Sequence, residues 1–359
     1  MNATECMQSI ELAALADNTL CISGPPGIGK TSITEQYAST KGNDFFYGVF
    51  NAATANLADT IGFLLPKDVE YHNAQGGKIV VSHGQYTYPH FFADRKTKKP
   101  AFLFTKGVLC IEEYGQATAD VKRALATLVQ EHRVGDYQLP KGFHIVILTN
   151  RTSDRSGVSR DFDFVINRRV DIEFTPELDA WLEWADKNDV DVDVRAFAAR
   201  NPTIVFSGAV PEKQGPWCTP RSLVAAGRTM KAAVTLGMDI DSNVLIGNLQ
   251  GSMGGTAIQL LSFLKLKDKL PKLSAILADP EGTAVPDTPD AQMVIAFQLA
   301  DRVKKENVSA IVKYMQRFPI PFAVTFIKTM LRKSPELINT AAIGDWTRAN
   351  AQLLAAVRR

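Results

Sequence analysis

Eight residues near the beginning of the chain constrain its fold more than any other segment. Gly24 to Thr31 reads GPPGIGKT, which matches the pattern GxxxxGK[ST] and lies between an apolar run and a helical pattern. Glycines let backbone N–H groups approach phosphate oxygens, and the N-terminus of the following helix adds positive potential. We therefore predict a triphosphate-binding loop; a glycine-rich turn with a chance lysine is the alternative, and the order strand, loop, helix speaks against it.

Within this loop the last polar residues have distinct chemical roles. Lys30 is placed to reach the β and γ phosphates, and the Thr31 hydroxyl is a ligand for Mg²⁺. We thus expect ATP and Mg²⁺ as the bound species. The predicted nucleotide-binding residues are Gly24, Pro25, Pro26, Gly27, Ile28, Gly29, Lys30, Thr31 and Ser32.

A second signal is a short apolar run, Val108 to Ile111, that ends in Glu112 and Glu113. This pattern is typical of a buried strand whose carboxyl end reaches a ligand crevice. We assign Glu112 to Mg²⁺ and Glu113 to the attacking water. Because the first acid of such a pair is more often aspartate, a nucleotide switch that barely hydrolyses stays an alternative. Paired acids on a solvated loop are another, which the preceding phosphate-binding loop disfavours.

Composition sets limits on the whole chain. Its 359 residues predict two domains, and 40 basic against 38 acidic side chains give a charge of only +2, which provides no global field for nucleic acid or membrane. The four cysteines lack zinc or disulfide spacing. Without a membrane-spanning run or a secretion signal at the N-terminus, we expect a cytoplasmic protein.

Short apolar runs alternate with helical patterns in the first half, which predicts an α/β fold with a parallel sheet covered by helices. A helix is expected from Ala117 to His132, and residues 51–100 form an insertion between the second and third strands, of a length that is usually functional or disordered. The predicted strands are Thr19–Ser23, Phe45–Phe50, Gly107–Ile111, His144–Thr149 and Val170–Phe174.

After Pro176 the pattern becomes helical. We expect an α/β domain over residues 1–175, a helical domain over 176–278 and a C-terminal helical segment over 290–359, separated by a Pro- and Asp-rich linker at 279–289. Thr219 and Pro220 predict a helix start, with Thr219 as N-cap and Pro220 at the first helical position.

Between Asp17 and Leu223 the sequence resembles the MoxR-like branch of the AAA+ ATPases. Besides the loop and the acid pair, the similar segments are Asp59 to Gly62, Phe104 to Gly107, the helix through Glu131, a short hairpin from Arg133 to Pro140, and a strand that ends in Thr149 and Asn150. Tyr114-Gly115-Gln116-Ala117 keeps only part of that branch's signature. The resemblance implies the AAA+ P-loop sheet followed by an all-α lid.

The resemblance also implies roles for polar residues beyond the acid pair. Asn150 stands where the family has a sensor that orients water, although a strand-ending Asn is also a common turn former. Arg168 and Arg169 stand where a finger reaches a neighbour's nucleotide, with Arg160 as a rival. Arg221 stands at the second sensor; its place in the first turn of a helix disfavours a cation unless an anion is near, and a surface salt bridge is the competing interpretation.

The family's biology implies a homo-oligomeric ring, usually of six subunits, that acts as a chaperone-like remodeller of a partner protein, often one with a von Willebrand factor A domain. The rival is a nucleic-acid motor or loader. It is prompted by the basic run Arg95 to Lys99, which comes after the aromatic residues Tyr86, Tyr88, Phe91 and Phe92. Basic and aromatic interleaving is typical of single-strand binders, whereas such a run is more often a solvated loop.

Overall fold

The computed structural model describes residues 1–154 and 156–351. The chain forms two compact units, the first comprising Met1–Pro176 with Gly208–Val210 and the second comprising Glu177–Ser207 with Pro211–Arg359. Within the described residues, all strands belong to the first unit and the second unit is helical. None of the described helices has the length and apolar character needed to cross a membrane.

The first unit is built on a five-stranded parallel sheet. Its strands are β1 (Thr19–Ser23), β2 (Phe46–Asn51), β5 (Gly107–Glu112), β8 (Phe143–Thr149) and β9 (Arg169–Glu173). They agree with the predicted strands to within one residue at each end. Their order across the sheet is β2-β5-β8-β1-β9.

Helices cover both faces of this sheet. Those of the first unit are α1 (Ala3–Leu15), α2 (Lys30–Thr40), α3 (Leu57–Ile61), α4 (Ala119–Glu131) and α5 (Asp163–Ile166). Successive residues of β5 are buried on opposite faces of the sheet. Val108 and Cys110 pack with residues of α1 and α2, whereas Leu109 and Ile111 pack with residues of α4. Burial on both faces explains why the strands read as continuous apolar runs.

Two antiparallel hairpins extend the first unit. The long one pairs β3 (Leu64–His72) with β4 (Lys78–Tyr86), and the short one pairs β6 (Arg133–Val134) with β7 (Tyr137–Gln138). The long hairpin lies in the insertion and was not predicted as strand. Most of its side chains are exposed, so it has no buried face and therefore none of the apolar-polar alternation by which a strand is recognised.

The second unit contains eleven helices within the described residues. They are α6 (Leu178–Lys187), α7 (Val192–Arg200), α8 (Pro202–Val205), α9 (Pro220–Thr235), α10 (Asn243–Met253), α11 (Thr256–Lys265), α12 (Leu273–Ala278), α13 (Pro289–Arg302), α14 (Val308–Met315), α15 (Ile320–Lys333) and α16 (Ala341–Ala349). As predicted, α9 starts with Thr219 as N-cap and Pro220 in the first turn.

The stretch 279–289 is a loop for most of its length, but it does not separate two bodies. Tyr314 Oη donates to the Ala284 carbonyl at 2.9 Å, and Arg317 Nη1 donates to the Thr283 carbonyl at 2.6 Å. Helix α13, directly after this loop, contributes Phe297 to one buried core and Leu299 to another. The helices before and after the loop therefore form one unit.

Stability should depend on pH through one buried histidine. His144 on β8 is 5% exposed, packs edge-on against Tyr37 at 5.9 Å between ring centres, and has no hydrogen-bond partner at Nε2 among the described residues. Burial lowers the pKa of His144 from 6.5 to about 4. The folded state thus favours neutral imidazole, and this stabilisation is complete above pH 6.5 and is lost as the pH falls towards 4.

We expect the free energy of unfolding to fall by about 3 kcal/mol more in the parent than in a His144→Phe variant between pH 6.5 and pH 4. Urea titrations at several pH values would measure this difference. His83, exposed on β4, provides the control substitution His83→Phe. Parallel pH profiles for the parent and His144→Phe would show that His144 does not titrate in this window.

Candidate functional site

The loop from Gly24 to Thr31 connects β1 to α2 with the backbone that a phosphate-binding loop requires. Gly27 and Gly29 have φ values of 79° and 102°, a region that residues with a Cβ rarely adopt. At Gly24 a Cβ would lie 2.9 Å from the carbonyl oxygen of Phe174. Glycine is therefore required at Gly29 for conformation and at Gly24 for space, which is the pattern the sequence contains.

The structure brings Lys30, Asn150 and Glu113 together. Lys30 Nζ donates to Asn150 Oδ1 at 2.7 Å and to the Gly24 and Pro25 carbonyls at 2.7 and 2.9 Å. Asn150 Nδ2 donates to Glu113 Oε2 at 3.1 Å. An amide between a cation and a carboxylate has only one favourable orientation, with oxygen towards Lys30 and nitrogen towards Glu113. The three residues come from different strand ends and form one continuous hydrogen-bonded chain.

Glu113 is held in an unusual backbone conformation. Its φ and ψ of 52° and 33° lie in the left-handed region, which costs a residue with a Cβ roughly 1 to 2 kcal/mol. The next turn is closed by Gln116 N–H donating to the Glu113 carbonyl at 3.0 Å. This conformation turns the chain sharply at the end of β5, while the Glu113 carboxylate stays directed at Asn150.

Thr31 and Glu112, the predicted Mg²⁺ ligands, lie on elements that contact each other. Thr34 Oγ1, one turn beyond Thr31 on α2, lies 3.7 Å from Cys110 Sγ, and Cys110 is on the same side of β5 as Glu112. Glu112 Oε1 is buried and has no hydrogen-bond partner among the described residues. A buried carboxylate oxygen without a partner fits a cation ligand.

The predicted Mg²⁺ site has only two protein ligands, Thr31 and Glu112. Among the described residues, no group of three or more His, Cys, Asp or Glu side chains is arranged to hold a metal ion. Magnesium usually takes one or two protein ligands and completes its shell with phosphate oxygens and water. The pair Thr31 and Glu112 is therefore consistent with Mg²⁺ bound together with a nucleotide, and not with a metal held by protein alone.

The candidate arginines differ in their surroundings. The Arg169 side chain is 7% exposed and lies 2.8 Å from Asp161 Oδ2, with Nε donating to Asp171 at 3.0 Å. Burial by itself lowers the pKa of Arg169, but its neighbours Cys21, Asp161 and Asp171 together outweigh it, so the pKa is raised. Arg168 is exposed and donates to the Phe164 carbonyl, while Arg160, 86% exposed, pairs with Asp163. Arg168 and Arg160 are thus available to another molecule, and Arg169 is engaged within the same chain.

Arg221 lies in the second unit, in the first turn of α9, and is exposed. A capping box supports that turn, since Thr219 Oγ1 accepts from Ser222 N–H and Ser222 Oγ accepts from Thr219 N–H. The helix start is therefore stable without a contribution from Arg221. Its role as a second sensor stays a prediction.

Sequence reasoning missed Arg151, the residue after Asn150. Arg151 Nη2 donates to Asp154 Oδ1 and to the Gly208 carbonyl, both at 2.7 Å, and Nη1 donates to Glu173 at 3.1 Å. Asp154 is buried, and its hydrogen bonds raise the pKa of Arg151. This arginine joins the ends of β8 and β9 to the segment Gly208–Val210. Only the i, i+3 spacing of Arg151 and Asp154 was visible in the sequence.

The basic run Arg95 to Lys99 forms an exposed turn. The buried carboxylate of Asp94 accepts Thr97 N–H at 2.7 Å and Tyr47 N–H at 3.0 Å, which fixes the turn against the edge strand β2. Of the four aromatic residues that precede it, Phe91 and Phe92 are buried in the core and Tyr86 and Tyr88 are half-buried. Little ring surface of these four residues is left for stacking on bases, whereas Phe102, three residues after Lys99, is 64% exposed.

The order of the sheet, the glycine loop after β1, the acids after β5 and the amide after β8 together define a P-loop NTPase fold, followed by helical structure.

No protein-family model and no curated protein matches the sequence. Among solved structures, the chain is similar to the RuvB Holliday junction branch migration motor of Thermotoga maritima, with 15% identity, 77% of this chain and 74% of that chain covered, and a TM-score of 0.39. NtrX from Brucella abortus, solved with ADP, has 14% identity, 98% and 68% coverage and a TM-score of 0.37. Since these TM-scores lie below 0.5, we infer the class from the chain's own topology and loop.

Breaking the Arg151 cluster should destabilise the first unit. In an Arg151→Met variant the buried Asp154 carboxylate loses its cation, so we expect a loss of roughly 2 kcal/mol in the free energy of unfolding. Urea denaturation would measure it. Arg160→Met, which breaks an exposed pair at the same i, i+3 spacing, is the matched control and should cost less than about 1 kcal/mol. Equal losses in both variants would contradict the structural role of Arg151.

Proposed function

We propose that this protein binds ATP with Mg²⁺ and hydrolyses it. The single observation that carries the proposal is the hydrogen-bonded chain from Lys30 through Asn150 to Glu113. It connects a cation suited to the β and γ phosphates with a carboxylate suited to orienting a water molecule. Few structural requirements other than catalysis would join a phosphate-loop lysine to a strained glutamate through one amide.

In this proposal each residue has one task. The loop amides and Lys30 bind the phosphates, and Glu113 accepts the proton of the attacking water, which Asn150 orients. Thr31 and Glu112 hold Mg²⁺, which when bound neutralises charge on the phosphate oxygens. Glutamate keeps the charge of aspartate but adds a methylene that changes the geometry at the metal, so a weakly hydrolysing switch is the alternative outcome.

Substitutions at the two ends of the hydrogen-bonded chain separate binding from hydrolysis. Lys30→Ala removes the phosphate-binding cation and should abolish nucleotide binding or turnover. Glu113→Gln keeps the shape and the contact with Asn150 but cannot accept a proton, so ATP should bind with parental affinity while phosphate release falls by at least 100-fold. Calorimetry and steady-state phosphate release would measure the two effects.

Lys106→Ala is the matched control, because it removes an exposed lysine outside the phosphate loop. Both nucleotide binding and phosphate release should stay at the parental level in this variant. Turnover by Glu113→Gln at the parental rate would contradict the assignment of the base. Very slow phosphate release by the parent itself would favour the switch.

We further propose a ring in which Arg168 completes a neighbour's site. Arg168 is exposed and comes after the segment anchored by Asp161, so its backbone is held while its side chain faces outwards. A guanidinium brought to the γ-phosphate stabilises charge in the transition state. Arg160 is the second candidate, and the buried pairing of Arg169 makes it the least suited of the three.

Subunit mixing would test the ring and its finger. Arg168→Ala and Glu113→Gln subunits should each be inactive alone, and a one-to-one mixture should recover activity, because about a quarter of the interfaces in a random heterologous ring join an intact site to an intact finger. Phosphate release against mixing ratio is the measurement. Recovery with Arg160→Ala in place of Arg168→Ala would reassign the finger, and no recovery with either would contradict a shared site.

For the biological output we propose a chaperone-like remodeller of a partner protein, on the family resemblance. A hexamer and a partner with a von Willebrand factor A domain are the specific forms that the resemblance implies. The test is capture from the native host with Glu113→Gln and ATP, since blocked hydrolysis retains the assembled state. Recovery of nucleic acid without a stable protein partner would instead support the motor alternative, which depends on the charge of the run Arg95 to Lys99.

A further inference from the structure

A buried charged cluster lies next to Glu113 and has no part in the proposed chemistry. Lys122 on α4 is 1% exposed, and its Nζ donates to the Ser159 carbonyl at 3.0 Å, to Ser159 Oγ at 2.9 Å and to Asp161 Oδ1 at 2.7 Å. Asp161 Oδ2 in turn lies 2.8 Å from Arg169 Nη1. Each of the three ammonium protons of Lys122 therefore has an acceptor in the segment 159–161.

Tyr114, the residue directly after Glu113, is fully buried within this cluster. Lys122 Nζ lies 5.3 Å from the centre of its ring, and the Arg169 guanidinium carbon lies 5.9 Å from it. Two cations thus contact the same aromatic ring, an arrangement that is stabilising when the cations are desolvated and balanced by carboxylates. Asp161 and Asp171 provide that balance.

The backbone is tied at the same place. Ser159 N–H donates to the Gly115 carbonyl at 2.9 Å, and a Cβ at Gly115 would lie 2.8 Å from the Val158 side chain. The turn 113–117 and the segment 158–161 are therefore in direct contact, with no room for an intervening side chain. Lys122 fastens the segment to α4, which comes after the turn in sequence.

We propose that Lys122 is a positioning residue that holds Glu113 in its left-handed conformation and keeps it in register with the segment 159–169, which carries Arg160 and Arg168. The inference rests on the proposed hydrolysis. Lys122 touches neither the phosphate loop residues nor Glu113 itself; it acts through Tyr114 and through Ser159 and Asp161. Because one cluster holds both the acid of a subunit and its outward-facing arginines, displacement of either is transmitted to the other.

A positioning role explains two features that packing alone does not require, the burial of Lys122 and the strained backbone of Glu113. A lysine is costly to bury, and an apolar side chain of similar length would fill the same space without needing three acceptors. The strained backbone conformation of Glu113 persists only where contacts with the surrounding structure hold it in place. Burial of Lys122 against Tyr114 supplies that restraint within one residue of the strained one.

The test compares Lys122→Met, which keeps length and removes the charge, with the exposed Arg133→Met as control. We expect kcat to fall at least ten-fold in Lys122→Met, while KM and the Kd for a non-hydrolysable ATP analogue change less than about three-fold. Amide hydrogen exchange should speed up at least ten-fold in residues 113–117 and 158–169 together and stay unchanged in β8. A uniform increase over the first unit would show a merely structural role and overturn the proposal.

Ser159→Ala is the milder second variant, because it removes one acceptor of Lys122 and leaves the charges in place. If Lys122→Met does not fold, the same two segments should show faster exchange in Ser159→Ala, with kcat reduced about two- to five-fold. Parental kcat and parental exchange in a folded variant would overturn the inference. If the parent binds nucleotide without hydrolysing it, the proposed hydrolysis is contradicted but the role of Lys122 is not. The hydrogen-exchange comparison needs no turnover, so it would still decide whether the cluster positions Glu113.

Discussion

The amide of Asn150 is the contact on which the candidate site depends. In the sheet, β8 lies between β5 and β1, so the residue after β8 must lie between the loop that leaves β1 and the turn that leaves β5. That loop supplies a cation, and that turn supplies a carboxylate. A carboxamide can accept from one through its oxygen and donate to the other through its nitrogen at the same time. The order of three strands therefore places the residue after β8 between the cation and the carboxylate.

The parts of the first unit that could be predicted from the sequence are those with a local signal. Its five sheet strands are buried on both faces and read as apolar runs, and the loop from Gly24 to Thr31 has a pattern set by glycine conformation and phosphate chemistry. Both signals are local. The long hairpin of β3 and β4 was missed because neither of its faces is buried, and α1 was missed although Asn2 and Glu5 form a capping box at its start.

The arginines show what local patterns do not contain. From the sequence, Arg168 and Arg169 are equivalent neighbours before a strand. The structure distinguishes them because Asp161 and Asp171 bracket Arg169, and because Lys122, 39 residues from Asp161 along the chain, shares that aspartate. A pairing across such a separation depends on the folded path of the chain. The same holds for the loop 279–289, whose composition suggests a linker but whose carbonyls accept from Tyr314 and Arg317.

Glu112 connects the stability of the first unit to its ligand. A buried carboxylate oxygen without a hydrogen-bond partner costs about 1 to 3 kcal/mol, and a cation bound at Glu112 would remove that cost. Binding to the folded state alone stabilises it in proportion to the logarithm of ligand concentration. The unpaired oxygen of Glu112 thus destabilises the protein without a cation and favours the binding of one. The strained backbone of Glu113 and the unpaired oxygen of Glu112 thus both lie at the carboxyl end of β5.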